Sequence, residues 1–126
     1  MIVIDSSGWL EYFTDGPNAD FFAPVVEDAA ELIVSSINIY EVFKRLLTVK
    51  GEDAALQAVA HMRQGLLVDV DTELAMHAVQ LGMTHKLPMA DSIILATALR
   101  FEAELWTQDA DFEGIEGVRY VPKHRN

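Results

Sequence analysis

Ile2-Val3-Ile4-Asp5-Ser6-Ser7-Gly8 sets an apolar, β-branched run directly against a carboxylate and two hydroxyls. The run has the length and residue type of a buried strand, and the Asp that ends it stands where a strand of an open sheet hands over to a helix. A carboxylate taken out of water at such a place needs a cation, a set of donors or a raised pKa. The arrangement recurs later in the chain, where Leu105-Trp106-Thr107 leads through Gln108 into Asp109. Asp5 therefore has two readings, a cap or turn former and a site carboxylate, and the rest of the chain weighs between them.

Working outward, Leu32 to Val34, Leu66 to Val70 and Val118 to Val121 join Ile2 to Ile4 and Leu105 to Thr107 as short apolar runs that predict strands. Between them lie helical patterns. Ile37 to Lys50 repeats apolar residues at Ile39, Tyr40, Phe43, Leu46 and Leu47; Asp53 to Met62 is rich in Ala; Thr72 to His85 carries Leu74, Ala75, Ala78, Val79 and Leu81. Ser6-Ser7-Gly8 can cap a short helix bearing Trp9, Leu10, Tyr12 and Phe13, and Asp71 and Thr72 are candidate caps further on. Pro88 precedes Ala90 to Arg100, a helix apolar on almost every face and so predicted to lie in the core. This βα alternation predicts an α/β domain: a mostly parallel, roughly five-stranded sheet in a three-layer α/β/α arrangement. No linker, repeat or low-complexity block divides residues 1–126, which read as a single domain.

Composition removes several chemistries. The chain has no cysteine, which excludes thiol nucleophiles, zinc-thiolate sites and disulfides and is compatible with a reducing cytoplasm. No apolar stretch is long enough for a membrane span, and Met1 to Ile4 carries no basic leader pattern, so the expectation is a cytoplasmic protein with no membrane partner. A formal net charge of -11 argues against broad, non-specific nucleic-acid binding. A carboxylate cluster holding divalent cations would change that sign locally. His61, His77, His85 and His124 show no i, i+4 pairing and none adjoins an acid motif, which disfavours a paired-histidine nuclease or a zinc hydrolase. A dehalogenase-type phosphatase would need an Asp where Ser7 stands, and a receiver domain an acidic pair beside Asp5 and a later strand-end Lys.

Two further acids stand out. Glu41 shares a polar stripe with Asn38 and Arg45, and its competing reading is a surface pair with Arg45. Asp91 opens the apolar helix that continues through Ile93, Ile94, Leu95 and Ala96, so its carboxylate either caps that helix or faces a cavity. In order, the chain offers strand-Asp5, helix-Glu41, helix-Asp91 and strand-Asp109. Here it resembles the PIN-domain family of metal-dependent ribonucleases, and within it the VapC-type toxins of VapBC toxin-antitoxin systems. Ile2-Val3-Ile4-Asp5-Ser6-Ser7, Asn38-Ile39-Tyr40-Glu41, Pro88 to Ala98 and Thr107 to Phe112 match that family's successive segments.

The resemblance implies a divalent-metal-dependent endoribonuclease with Asp5, Glu41, Asp91 and Asp109 as its catalytic acids. Asp5, Asp91 and Asp109 would ligate Mg²⁺ or Mn²⁺, hard cations that an all-oxygen site suits. Glu41 would bind metal or orient the attacking water. Ser6, Asn38, Thr107 and Asp111 would support the acids, with Asp111 serving the turn that buries Phe112 and Asp109 belonging to the site itself. Lys44 and Arg45, with Lys50 and the segment Lys123-His124-Arg125, are candidate contacts for RNA phosphates. The resemblance also implies a cognate VapB-type antitoxin, with Trp9, Tyr12, Phe13, Phe21 and Phe22 as a candidate receiving surface, and a homodimer formed around Leu74 to Met83. The alternative is a non-catalytic module of the same fold whose acids only complement a partner.

Overall fold

The computed structural model describes residues 1–124. Five parallel strands form one sheet in the order β3-β2-β1-β4-β5: β1 (Ile2–Ile4), β2 (Leu32–Ser35), β3 (Leu66–Val68), β4 (Glu104–Thr107) and β5 (Val118–Tyr120). Strand side chains alternate between two cores. Ile4, Leu32, Val34 and Trp106 face one, and Val3, Ile33 and Leu105 face the other. The first core is covered by α1 (Ser6–Phe13), α2 (Ala19–Val26), α3 (Ser36–Val49) and α4 (Glu52–Met62). The second is covered by α5 (Thr72–His85) and α6 (Met89–Arg100). The outcome is the three-layer arrangement expected from the sequence: the inner strands β1, β2 and β4 are largely buried on both faces, whereas the edge strands β3 and β5 are partly exposed.

The predicted helix α5 is met at both ends, and Asp71 caps it by accepting from Leu74 N at 2.8 Å. Helix α6 is buried from Ser92 to Ala98 without interruption, as its all-round apolar pattern requires. Two features differ from expectation. The cap of α1 is Asp5, whose carboxylate accepts from Gly8 N, while Ser6 and Ser7 lie inside the helix. Helix α2 has no counterpart in the sequence reading because Pro24 falls within it. A proline in a helix interior costs about 3 kcal/mol, but burying Phe22, Val25 and Val26 returns about 1.5 to 3 kcal/mol for each, and packing wins. Gly8 makes the resulting close packing possible: a Cβ there would stand 2.6 Å from both Ile4 Cγ2 and Phe22 Cε1.

The strand order fixes where chemistry can happen. From β1 the chain builds outward through β2 and β3, and from β4 outward through β5, so β1 and β4 flank the topological switch point. Beyond the carboxyl ends of two such strands lies a crevice that no crossover helix fills.

Candidate active site

Asp5 and Asp109 leave β1 and β4 at that crevice, and α6 delivers Asp91 from its first turn. One carboxylate oxygen from each of Asp5, Asp91 and Asp109 lies within 4.8 Å of the others, a group that could hold a metal ion. Asp91 caps nothing: the N-cap of α6 is Pro88, and no side chain closes that end. Its competing reading is thereby removed. Asp5 does both jobs, capping α1 and facing the cluster.

Donors pin the two strand-end carboxylates, Asp5 and Asp109. Ser7 Oγ lies 2.9 and 3.0 Å from the two Asp5 oxygens, and Gly8 N lies at 3.4 Å. Thr107, wholly buried, accepts from Asp109 N at 2.8 Å, and its hydroxyl lies close enough to Asp5 to lower that carboxyl's pKa. Asp109 Oδ1 accepts from Asp111 N at 2.9 Å, capping the 3₁₀ turn Ala110–Phe112 that buries Phe112. Asp111 itself is exposed and contributes its backbone to this turn.

Glu41 stands beside the trio. Ser6 Oγ donates to Glu41 Oε1 at 2.6 Å, and Asn38 Nδ2 donates to Ser6 Oγ at 3.1 Å. Asn38 is fully buried because it also closes the capping box of α3, accepting from Ser35 N at 3.1 Å. Among the described residues Glu41 forms no salt bridge with Arg45, so the surface-pair reading fails. The polar stripe runs inward from exposed Arg45 through half-buried Glu41 to Asn38.

The electrostatics are those of like charges confined in a poorly solvated place. Burial pushes the Asp5 carboxyl up to about 6, with Asp109 adding repulsion and the bonds from Ser7, Thr107 and Gly8 holding it back. Burial, then repulsion from Asp109, Asp5, Glu41 and Asp111, pushes Asp91 up to about 7. A divalent cation relieves this strain directly, and an all-carboxylate donor set suits a hard one.

Two features here escaped the sequence reading. Ser7 is the main donor to Asp5, and two successive serines after a strand-end Asp were its only signal. Gln108, buried between Thr107 and Asp109, donates to Ser7 O at 3.3 Å and Glu11 Oε1 at 3.2 Å and accepts from Asn18 Nδ2 at 2.9 Å. Glu11 Oε2 in turn accepts from Asn18 N at 2.7 Å. This network ties the start of α1 to the exit of β4, and its members are too far apart in sequence to be paired by spacing.

The surfaces expected to meet partners are only partly as anticipated. Trp9 and Phe22 are core residues with no exposed surface, which corrects their placement on a receiving face. Tyr12 and Phe13 remain accessible and line a cleft of about 370 Å³ with Lys50 and His61. On α5, Leu74 and Ala78 are buried against Ile93 and Ala96 of α6, whereas Met76, Val79, Met83 and Met89 stay exposed. An apolar groove of about 470 Å³ lies there, and none of the acids lines it. Lys44 and Arg45 are exposed beside Glu41, and Arg125 lies outside the described residues.

No curated protein sequence matches the chain. Solved structures do. A toxin-antitoxin complex from Klebsiella pneumoniae superposes with a TM-score of 0.80 at 23% identity, covering 94% of this chain and 96% of that one. VapC20 of Mycobacterium tuberculosis, described as a sarcin-ricin loop cleaving toxin, gives 0.78 at 18% identity over 97% and 100%. DNA-bound VapBC from Salmonella typhimurium gives 0.72 at 18% identity over 96% of each chain. At these identities the likeness is one of fold. The family model of the PIN domain, however, matches residues 2–118, nearly the whole chain, and the protein belongs to the PIN domain family.

Proposed function

We propose that this protein is a divalent-metal-dependent endoribonuclease acting in the cytoplasm as the toxin of a type II toxin-antitoxin pair. The observation that carries the reading is the convergence of Asp5, Asp91 and Asp109 at the switch point of a PIN fold, with their charges mutually unfavourable until a cation joins them. The donor set favours Mg²⁺ or Mn²⁺ over softer metals. When bound, the cation lowers the pKa of a water and offsets the charge gathering on the phosphate. Asp5, clamped by Ser7 and Gly8 N, would supply a ligand held in one orientation. Glu41, fixed by the Ser6 and Asn38 relay, orients the attacking water and takes its proton as the bond to phosphorus forms and the bond to the leaving ribose oxygen breaks. A binding module with no catalytic task would gain nothing from three carboxylates held against their own ionisation.

Several of the structural relatives are VapBC complexes, which supports a VapB-type antitoxin as partner. The cleft bearing Tyr12, Phe13 and His61 offers it an aromatic seat. The exposed methionines and Val79 on α5 and α6 supply an apolar face for a homodimer. The test is induced expression in cells with and without a co-produced antitoxin, with mapping of new 5′ ends in total RNA. Growth arrest with discrete ends, absent for Asp91→Asn, is the expected result. Normal growth and intact RNA with abundant soluble wild-type protein would overturn the reading.

A further inference from the structure

In a chain with a net charge of -11, the nine Lys and Arg are scarce, and their placement is informative. Lys44 and Arg45 line a cleft of about 250 Å³ on α3 together with Tyr40, Glu41 and Thr48. Arg45 also lines the next cleft, of about 410 Å³, where Ser7, Gln108 and Lys123 meet. Because Arg45 lines both, the two clefts adjoin and are read together as a trough. Its lining includes Glu41, Ser7 and Gln108; Ser7 is bonded to Asp5 and Gln108 precedes Asp109, so the trough lies next to the residues that carry the acid cluster. Among the described residues, neither Lys44, Arg45 nor Lys123 is in a salt bridge, whereas the acids in the trough, Glu41 and Glu11, are held by Ser6, Asn18 and Gln108.

Tyr40 stands at one end. Tyr40 is 60% exposed, one residue before Glu41, and Lys44 Nζ lies 5.7 Å from its ring centroid one helical turn on. Packing does not account for an aromatic ring this open. A ring flanked by an ammonium, at the end of a cationic trough, has the chemistry that receives an unpaired base whose phosphates follow the cations.

Resting on the ribonuclease reading and naming how it grips its substrate, we propose that Tyr40 is a stacking platform for an unpaired RNA base beside the cleaved phosphate. The strand then lies along Lys44, Arg45 and Lys123. Tyr40 is thus a positioning residue, since it touches a base and none of the reacting atoms. This platform favours single-stranded or looped RNA over duplex, whose bases are already stacked.

The test uses full-length wild type, Tyr40→Ala, Tyr40→Phe, Tyr40→Trp and Lys44→Ala. Binding of a short unstructured RNA carrying one 2-aminopurine is followed by anisotropy and fluorescence in Ca²⁺, and cleavage of the same RNA in Mg²⁺. Tyr40→Ala should weaken binding about tenfold, raise KM far more than it lowers kcat, and abolish 2-aminopurine quenching at one position. Tyr40→Phe and Tyr40→Trp should restore all three, and Lys44→Ala should weaken binding with a shallower salt dependence. Unchanged RNA binding by Tyr40→Ala with an unaltered melting temperature overturns the platform, as does a loss confined to binding of a co-produced protein partner. A wild type that binds and cleaves no RNA overturns the ribonuclease reading itself, a result distinct from either.

Discussion

Asp91→Asn separates the electrostatics of the acid cluster from its packing. The Asp91 side chain makes no hydrogen bond among the described residues, so the amide keeps the shape and loses no partner, while the charge that Asp109, Asp5, Glu41 and Asp111 oppose is removed. A rise from 3.8 to about 7 would cost about 4 kcal/mol if fully realised. Asp91 is only half-buried, so solvent screening brings the recoverable part to about 1 to 2 kcal/mol. For a domain of this size that is about 3 to 8 °C in melting temperature. The sign follows from proton counting. The folded protein holds a proton on Asp91 that the unfolded chain has released, so the cost is absent below about pH 4, grows as pH rises through the range up to about 7, and is constant above. In EDTA at pH 8 the variant should therefore melt above wild type, and at pH 4 the two should coincide. Millimolar Mn²⁺ should raise the melting temperature of wild type and not of the variant, reversing their order. A variant that melts below wild type in EDTA at pH 8 would refute the account of a strained cluster.

Asp109→Asn should lower the cleavage rate at least tenfold, about 1.4 kcal/mol of transition-state stabilisation, and still cap its turn through Oδ1. Asp111→Asn should stay near wild type in both rate and melting temperature, because the exposed Asp111 side chain gives the turn nothing that its backbone does not. Ser7→Ala removes the principal donor to a buried carboxylate and should destabilise the metal-free protein by about 1 to 3 kcal/mol at pH 8 in denaturant titration, with weaker Mn²⁺ binding by calorimetry. Gly8→Ala should cost about 1 to 3 kcal/mol or more by overpacking against Ile4 and Phe22, and equal stability to wild type would show that α1 can shift where the structure says it cannot.

The sheet was legible because its inner strands are largely buried on both faces, which leaves short β-branched runs such as Ile2 to Ile4 with no helical competitor. The acids were legible because each interrupts an apolar context: Asp5 and Asp109 end strands, and Asp91 begins a helix that is otherwise core. Helix α2 was hidden by Pro24, whose local penalty is overridden only by tertiary burial of Phe22, Val25 and Val26. Trp9 and Phe22 read as a docking surface because sequence shows an aromatic cluster without showing which rings the sheet covers. Asp111 shows the same limit in miniature: spacing identifies the turn, but only the fold shows that its backbone and not its carboxylate does the bonding. The Gln108, Glu11 and Asn18 network lies beyond any pattern of spacing, since its bonds span 90 and 97 residues of chain.

The claim on which the rest depends is that Asp5, Asp91 and Asp109 hold a divalent cation used to cut RNA. The measurement that reaches it most directly is the cleavage rate of a defined RNA by EDTA-stripped protein as Mg²⁺ or Mn²⁺ is added back, for wild type and Asp91→Asn side by side. Neither protein should cleave without metal, wild type should recover saturably, and the variant's recovery should be at least tenfold weaker at every metal concentration. Cleavage that persists after chelation, or full recovery in Asp91→Asn, would contradict it.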